Sequence, residues 1–241
     1  MTGAAADLDR FYDLLRQLET ALGGTRTLDD CHGRLGWPQR GVYFFFEPGE
    51  VRRNGTPRVT RVGTHALTAT SKATLWGRLS QHRGRGRGGG NHRIFRRHVG
   101  AALLARDGDP SGTAAPTWGS GSSAPREVVV AEHAHELRVS AYLRSLPFLW
   151  VAVDDPPSRD SHRGVIERGA IGLLSRRANP VADPPSADWL GHHAPAAGIR
   201  TSGLWNVNHV DERYDPVFLA VLERRVESVG AGAGRVNQAR L

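Results

Sequence analysis

Residues 41–63 constrain the fold more than any other stretch of the chain. Gly41 to Phe46 is a dense run of β-formers, Asn54-Gly55 is a tight-turn dipeptide, and Pro57 to Gly63 is a second extended run. Together they read as a β-hairpin. Alternation places Gly41, Tyr43 and Phe45 on one face and Val42, Phe44 and Phe46 on the other. Both faces are apolar, so the sheet must be covered on both sides.

The flanks supply the covering helices. Leu8, Phe11, Leu14, Leu15, Leu18 and Leu22 recur at helical spacing over 7–22, and Gly23-Gly24 ends that helix. Ser71 or Thr74 caps a helix reaching about His82. Another runs from about His92 to Ala105, with Ile94, Phe95, His98, Val99 and Ala102 on one arc and Arg93, Arg96 and Arg97 on the opposite one. Glu132 to Leu143 is helical. Pro147 to Val153 is a buried strand stopped by Asp154-Asp155-Pro156-Pro157, and Ser161 caps a helix to about Ser175. The Gly/Arg stretch 83–90 reads as flexible, and the Gly/Ser/Pro/Thr-rich stretch 107–126 as a mobile surface insertion. The expected fold class is α/β of the α+β kind: a small, largely antiparallel three-stranded sheet flanked by helices. The expected organisation is an N-terminal helical extension over 1–36, a core over 37–183, and a C-terminal extension over 184–241 packed on it.

The single cysteine, Cys31, excludes an internal disulfide and any multi-cysteine metal site. No apolar run reaches the ~18 residues of a membrane span, and Met1 to Asp9 has no signal-peptide pattern, so a cytoplasmic protein without a membrane partner is expected. The charge is unevenly spread. Val51 to Arg106 contains no Asp or Glu but carries 12 arginines and Lys72, which is +13 in a chain of +8 overall. The remainder therefore sums to −5. Compositional bias accounts for arginine over lysine, but not for the missing acids. Such a block is an electrostatic footprint for nucleic acid, DNA in the first place with RNA also admissible. His92, Arg93, Arg96 and Arg97 are the candidate phosphate contacts.

Several nucleic-acid chemistries drop out. The sole lysine, Lys72, has Thr70 two residues before it rather than an acid, which removes the Asp/Glu-x-Lys nucleases. A zinc deaminase needs paired cysteines. Asp154 and Asp155 could serve a two-metal site, but two acids before Pro-Pro are more often turn formers. Asn206, Asn208 and His209 lack a partner histidine in a hairpin.

What remains is an ordered set: Gly41-Val42-Tyr43, then Arg61-Val62-Gly63, Arg78 and His82 four apart, His92, Glu167 and Asn179. Over about 41–180 this resembles the GIY-YIG nuclease superfamily. Gly41 and Tyr43 match its first motif, and Val62 and Gly63 its second, which here begins with Arg61 in place of the usual tyrosine. The resemblance implies that Arg78 is the family arginine, Glu167 the metal-binding glutamate and Asn179 the downstream asparagine, with Lys72 placed where some members carry a catalytic lysine. It implies Mg²⁺, with Mn²⁺ as an alternative, and a metal-dependent DNA endonuclease; the alternative is a nucleic-acid-binding protein that kept the fold and lost activity at Arg61. The chemistry suits these residues. An arginine fork clamps a phosphate without a proton to lose. A histidine near its ordinary pKa of ~6.5 can accept a proton from Tyr43 or from water. One carboxylate suffices for an ion that keeps several waters. Arg163, four residues before Glu167, would otherwise make an ordinary helical ion pair with it.

Overall fold

The computed structural model describes residues 3–84, 94–108, 117–119 and 125–238, with 231–238 as backbone only. The hairpin forms as the sequence dictates. Strand β1 (Gly41–Val51) and strand β2 (Pro57–Gly63) pair antiparallel, and β3 (Phe148–Ala152) joins the other side of β1, giving the order β2-β1-β3. Tyr43 lies opposite Gly63 on one side and Trp150 on the other, and Phe45 lies opposite Arg61. β1 runs past the expected Phe46 to Val51, at the expense of regular pairing: the register shifts after Phe45 and again after Phe46, where Pro48 withholds a donor and Gly49 takes a φ of 85°. Gly55, with φ 83°, closes the turn, and its N–H donates to Arg52 O at 2.9 Å.

Both faces are covered. Val42, Phe44 and Phe46 share a core with α1 (Gly3–Leu22), α6 (His162–Leu174) and α8 (Val217–Gln238). Tyr43 and Phe45 share the other core with α2 (Leu75–Arg83), α3 (Ile94–Arg106), α5 (His133–Ser145), and the segment from Trp189 through α7 (Ala197–Ser202) to Trp205. Thr74 caps α2 by accepting from Gly77 N–H, and Ser161 caps α6 by accepting from Gly164 N–H. The helix expected from Glu132 starts one residue later, because a short α4 (Arg126–Ala131) precedes it and the chain breaks at Glu132. Most of 107–126 lies outside the described residues, but Trp118 within it is packed: its indole sits edge-on to His135 at 4.5 Å and donates to Arg97 O at 2.9 Å. Among the described residues no helix is long and apolar enough to cross a membrane.

β2 is an edge strand, and the C-terminal segment closes that edge. Trp205 N–H donates to Thr60 O at 2.8 Å. The Asn206 amide brackets Val62, accepting from its N–H at 3.1 Å and donating to its carbonyl at 2.8 Å. A side-chain amide thus replaces one rung of a fourth strand. The same segment is anchored from within: Glu47 Oε2 on β1 accepts from the indoles of Trp189 at 3.1 Å and Trp205 at 3.0 Å.

Candidate active site

The site grows from the register of β1 and β2. Gly63 stands opposite Tyr43, and a Cβ there would meet the Tyr43 phenol carbon and oxygen at 2.4 Å, so only glycine lets the ring lie over β2. Gly41 is held by the same logic, since its Cβ would meet Val151 O at 2.5 Å. The cap at Thr74 sets the phase of α2 so that Leu75, Leu79 and His82 face inward. That brings His82 Nε2 to 2.9 Å from Tyr43 Oη, both side chains buried, with the rings of Phe45 and Phe95 edge-on around the imidazole.

Arg61 occupies the same sheet face, two residues from Gly63. Its guanidinium is buried over the ring of Phe95 at 4.5 Å, and Nη1 donates to Trp205 O at 2.8 Å. Burial presses it below its ordinary value; Tyr43 and Glu167 oppose this and Arg78 adds to it. A guanidinium keeps its charge through such shifts. Glu167 reaches the end of β2 from α6, where Oε1 accepts from Thr64 N–H at 3.0 Å. Burial raises its carboxyl above the ordinary glutamate value, and Arg61, the Thr64 N–H, His209 and Arg78 pull it back in that order. Arg78 sits partly exposed on α2 with no ion pair among the described residues and an enclosed Nε without an acceptor. Tyr43 therefore contacts His82, while Arg61 interacts with Tyr43, Arg78 and Glu167.

The other expected residues fare differently. Lys72 is exposed in the loop before α2, without a hydrogen bond or ion pair among the described residues. Asn179 is buried beyond the end of α6 and donates to Leu173 O at 2.7 Å, with no bond to Glu167. Arg96 requires a correction. It does not share an exposed arc with Arg97: it is fully buried, ion-paired to Glu136, and bonded to Ser140 Oγ at 2.9 Å and His82 O at 2.7 Å. Ile94, expected to be packed, is exposed instead. The arc is rotated because α5 offers Arg96 a carboxylate and the end of α2 offers it a carbonyl. Arg97 is exposed, as expected, while His92 and Arg93 lie outside the described residues. Arg163 pairs not with Glu167 but with Asp155, and also donates to the carbonyls of Val153 and Ala66. Asp154 accepts from Arg40 N–H, so both acids serve the turn after β3.

Sequence reasoning missed three contributors. His65, next to Thr64, is buried between arginines; burial, then Arg163, Arg78 and Arg40, push it down to about 4 despite the Gln39 backbone. His98 is pushed down to about 4 by burial, Arg97 and Arg61. His209, in a left-handed conformation with φ 64°, pairs with Glu212 at 2.8 Å and acts on Glu167. On sequence, His209 stands out only beside Asn206 and Asn208, without a partner histidine in a hairpin.

Among the described residues no three or more His, Cys, Asp or Glu side chains gather as metal ligands. The donor set nevertheless suits one hard cation that retains water: Glu167 has one oxygen fixed by Thr64 and the other without a protein partner among the described residues. No curated protein and no solved structure matches the chain. One family model does: that of the GIY-YIG domain, over residues 2–231. The match takes in the flanks on both sides of 41–180.

Proposed function

The chain belongs to the GIY-YIG domain family, whose members are generally nucleases, and from that footing we propose that it is a metal-dependent DNA endonuclease. The observation that carries the reading is the buried Tyr43–His82 hydrogen bond, set beside two arginines without carboxylate partners in ion-pair contact and one half-held carboxylate. Hydrolysis of a phosphodiester needs a water made nucleophilic, cations for the charge growing on phosphorus, and a place for the proton. Tyr43 orients the attacking water over Gly63, and His82 takes the proton through the 2.9 Å contact. Arg78 clamps the scissile phosphate with its planar fork. Arg61, standing where family members usually carry tyrosine, is fixed by Trp205 O and the Phe95 ring. In our reading it is a second immobile cation facing Tyr43 and the phosphate. When bound at Glu167, Mg²⁺ or Mn²⁺ would supply further positive charge to the phosphate oxygens. Lys72, Arg97, His92 and Arg93 supply outer phosphate contacts, and Asn179 supports the loop after α6.

The competing reading keeps nucleic-acid binding and drops catalysis at Arg61. Incubating the protein with plasmid and oligonucleotide DNA in Mg²⁺, Mn²⁺ or EDTA separates the two. Cleavage that EDTA abolishes supports the endonuclease. Salt-sensitive binding without cleavage in either metal leaves only the binding protein.

A further inference from the structure

Arg40, Arg61 and Arg78 form no ion pair among the described residues, and each has an enclosed Nε without an acceptor. The catalytic reading accounts for Arg61 and Arg78 but not for Arg40. The backbone around Arg40 is pinned on three sides: its N–H donates to Asp154 Oδ1 at 2.8 Å, its carbonyl accepts from Val153 N–H at 3.0 Å, and the Gln39 carbonyl accepts from Leu75 N–H at 2.9 Å. Its guanidinium, by contrast, makes one long contact, from Nη1 to Asp155 O at 3.5 Å. The neighbouring acids are engaged elsewhere: Asp154 with the Arg40 backbone, Asp155 with Arg163 and the His162 N–H. The Gln39–Leu75 bond sets Arg40 at the start of the helix that carries Arg78. Both arginines act on the buried His65, which has no hydrogen bond of normal geometry at either ring nitrogen.

Enclosed guanidinium donors left without acceptors are unfavourable, and a bound anion would supply the missing acceptors. We infer that Arg40 holds a second phosphate of the polynucleotide backbone, flanking the one that Arg78 clamps. The inference rests on the nuclease reading of the same site. A backbone phosphate suits it better than a free one, because two separate forks, one just before β1 and one on the adjoining α2, match two linked charges, whereas a free anion fills one.

The test uses the full chain and a DNA whose cleaved bond has been mapped with wild-type protein and Mg²⁺. Binding is then measured in EDTA as a function of salt, and on DNA carrying a single neutral methylphosphonate at successive positions. Arg40→Gln keeps the backbone bonds, and an unchanged melting temperature verifies the fold. Its affinity should fall about tenfold, the loss of a charge-assisted contact, and its log–log salt slope should flatten by ~0.9, the loss of one phosphate. Wild type should lose affinity when the phosphate flanking the cleaved bond is neutralised, and Arg40→Gln should lose nothing more there. Arg40→Lys should retain the slope. An unchanged slope in Arg40→Gln overturns the inference. So does a methylphosphonate scan in which wild type and variant lose equally at every position, or one that is flat while Arg40→Gln relieves inhibition by inorganic phosphate, which would mark a free-anion site. Wild-type protein that neither binds nor cleaves DNA overturns the nuclease reading, and this inference with it; wild-type cleavage with an unaltered Arg40→Gln slope removes the subsite alone.

Discussion

A methyl group at position 63 would land 2.4 Å from the Tyr43 hydroxyl, so the glycine of the second motif is required by the tyrosine of the first. Gly63→Ala should cost about 1–3 kcal/mol, the usual range for overpacking, and pull Tyr43 off His82; denaturant melts paired with cleavage assays will show whether both losses occur. Tyr43→Phe and His82→Ala should each slow single-turnover cleavage roughly 100-fold or more, the scale of lost general-base catalysis. The double variant should be scarcely slower than either, because groups that act as a unit are not additive. Normal cleavage by both singles would dismantle the proposed proton path. Glu167 carries a prediction with a definite sign. Its folded-state pKa lies above the ordinary 4.5, chiefly through burial. Below 4.5 the group is protonated whether folded or unfolded and costs nothing. As pH rises the unfolded chain ionises first, so the native state loses stability until its own carboxyl has ionised, and the deficit then stays constant. Glu167→Gln should therefore abolish cleavage yet melt higher than wild type at neutral pH, with the gap closing toward pH 4. A gap that ignores pH would contradict the burial assigned to this carboxyl.

At the scale of elements, α3 shows what a one-dimensional pattern can and cannot carry. Its existence and most of its packed face follow from Phe95, Val99 and Ala102 at helical spacing. The position of Arg96 does not, because what buries it is Glu136, forty residues away on α5. The hairpin was legible because each strand contains its own evidence: alternation, Asn54-Gly55, and apolar residues on both faces. The site was legible only in part for the same reason. Tyr43, Arg78, His82 and Glu167 stand out as an ordered set, whereas His65, His98 and His209 gain their surroundings from remote segments. Two substitutions on α3 separate the cases. Arg96→Ala strips the partner from a buried Glu136 and frees the His82 carbonyl, so it should destabilise by ~3–5 kcal/mol. Arg97→Ala should leave the melt unchanged and, if Arg97 touches phosphate, flatten the salt slope of DNA binding by ~0.9. Equal melting temperatures for the two variants would refute the buried pair.

On the scale of the whole molecule, the question is whether residues 37–183 can stand without their flanks. The sheet face formed by Val42, Phe44 and Phe46 is roofed by α1, α6 and α8, so two of its three covering helices come from outside that range. From α8 alone, Phe218, Leu219, Val221, Leu222 and Val226 are buried. At ~1.5–3 kcal/mol per side chain their burial is worth of order 10 kcal/mol, an upper figure because the unfolded chain is itself partly collapsed. That equals the entire net stability, about 5–15 kcal/mol, of an ordinary domain. The other losses are polar. Without the C-terminal segment, Glu47 loses the indoles of Trp189 and Trp205, Arg61 loses the Trp205 carbonyl, and the β2 edge is left bare from Thr60 to Val62. We therefore expect a chain ending at residue 183 to show no cooperative thermal transition, weak near-ultraviolet dichroism and binding of a hydrophobic dye, and a chain starting at residue 37 to behave alike. A sharp, reversible melt of residues 37–183 alone, with DNA cleavage intact, would mean that the flanks decorate an independent core rather than complete it.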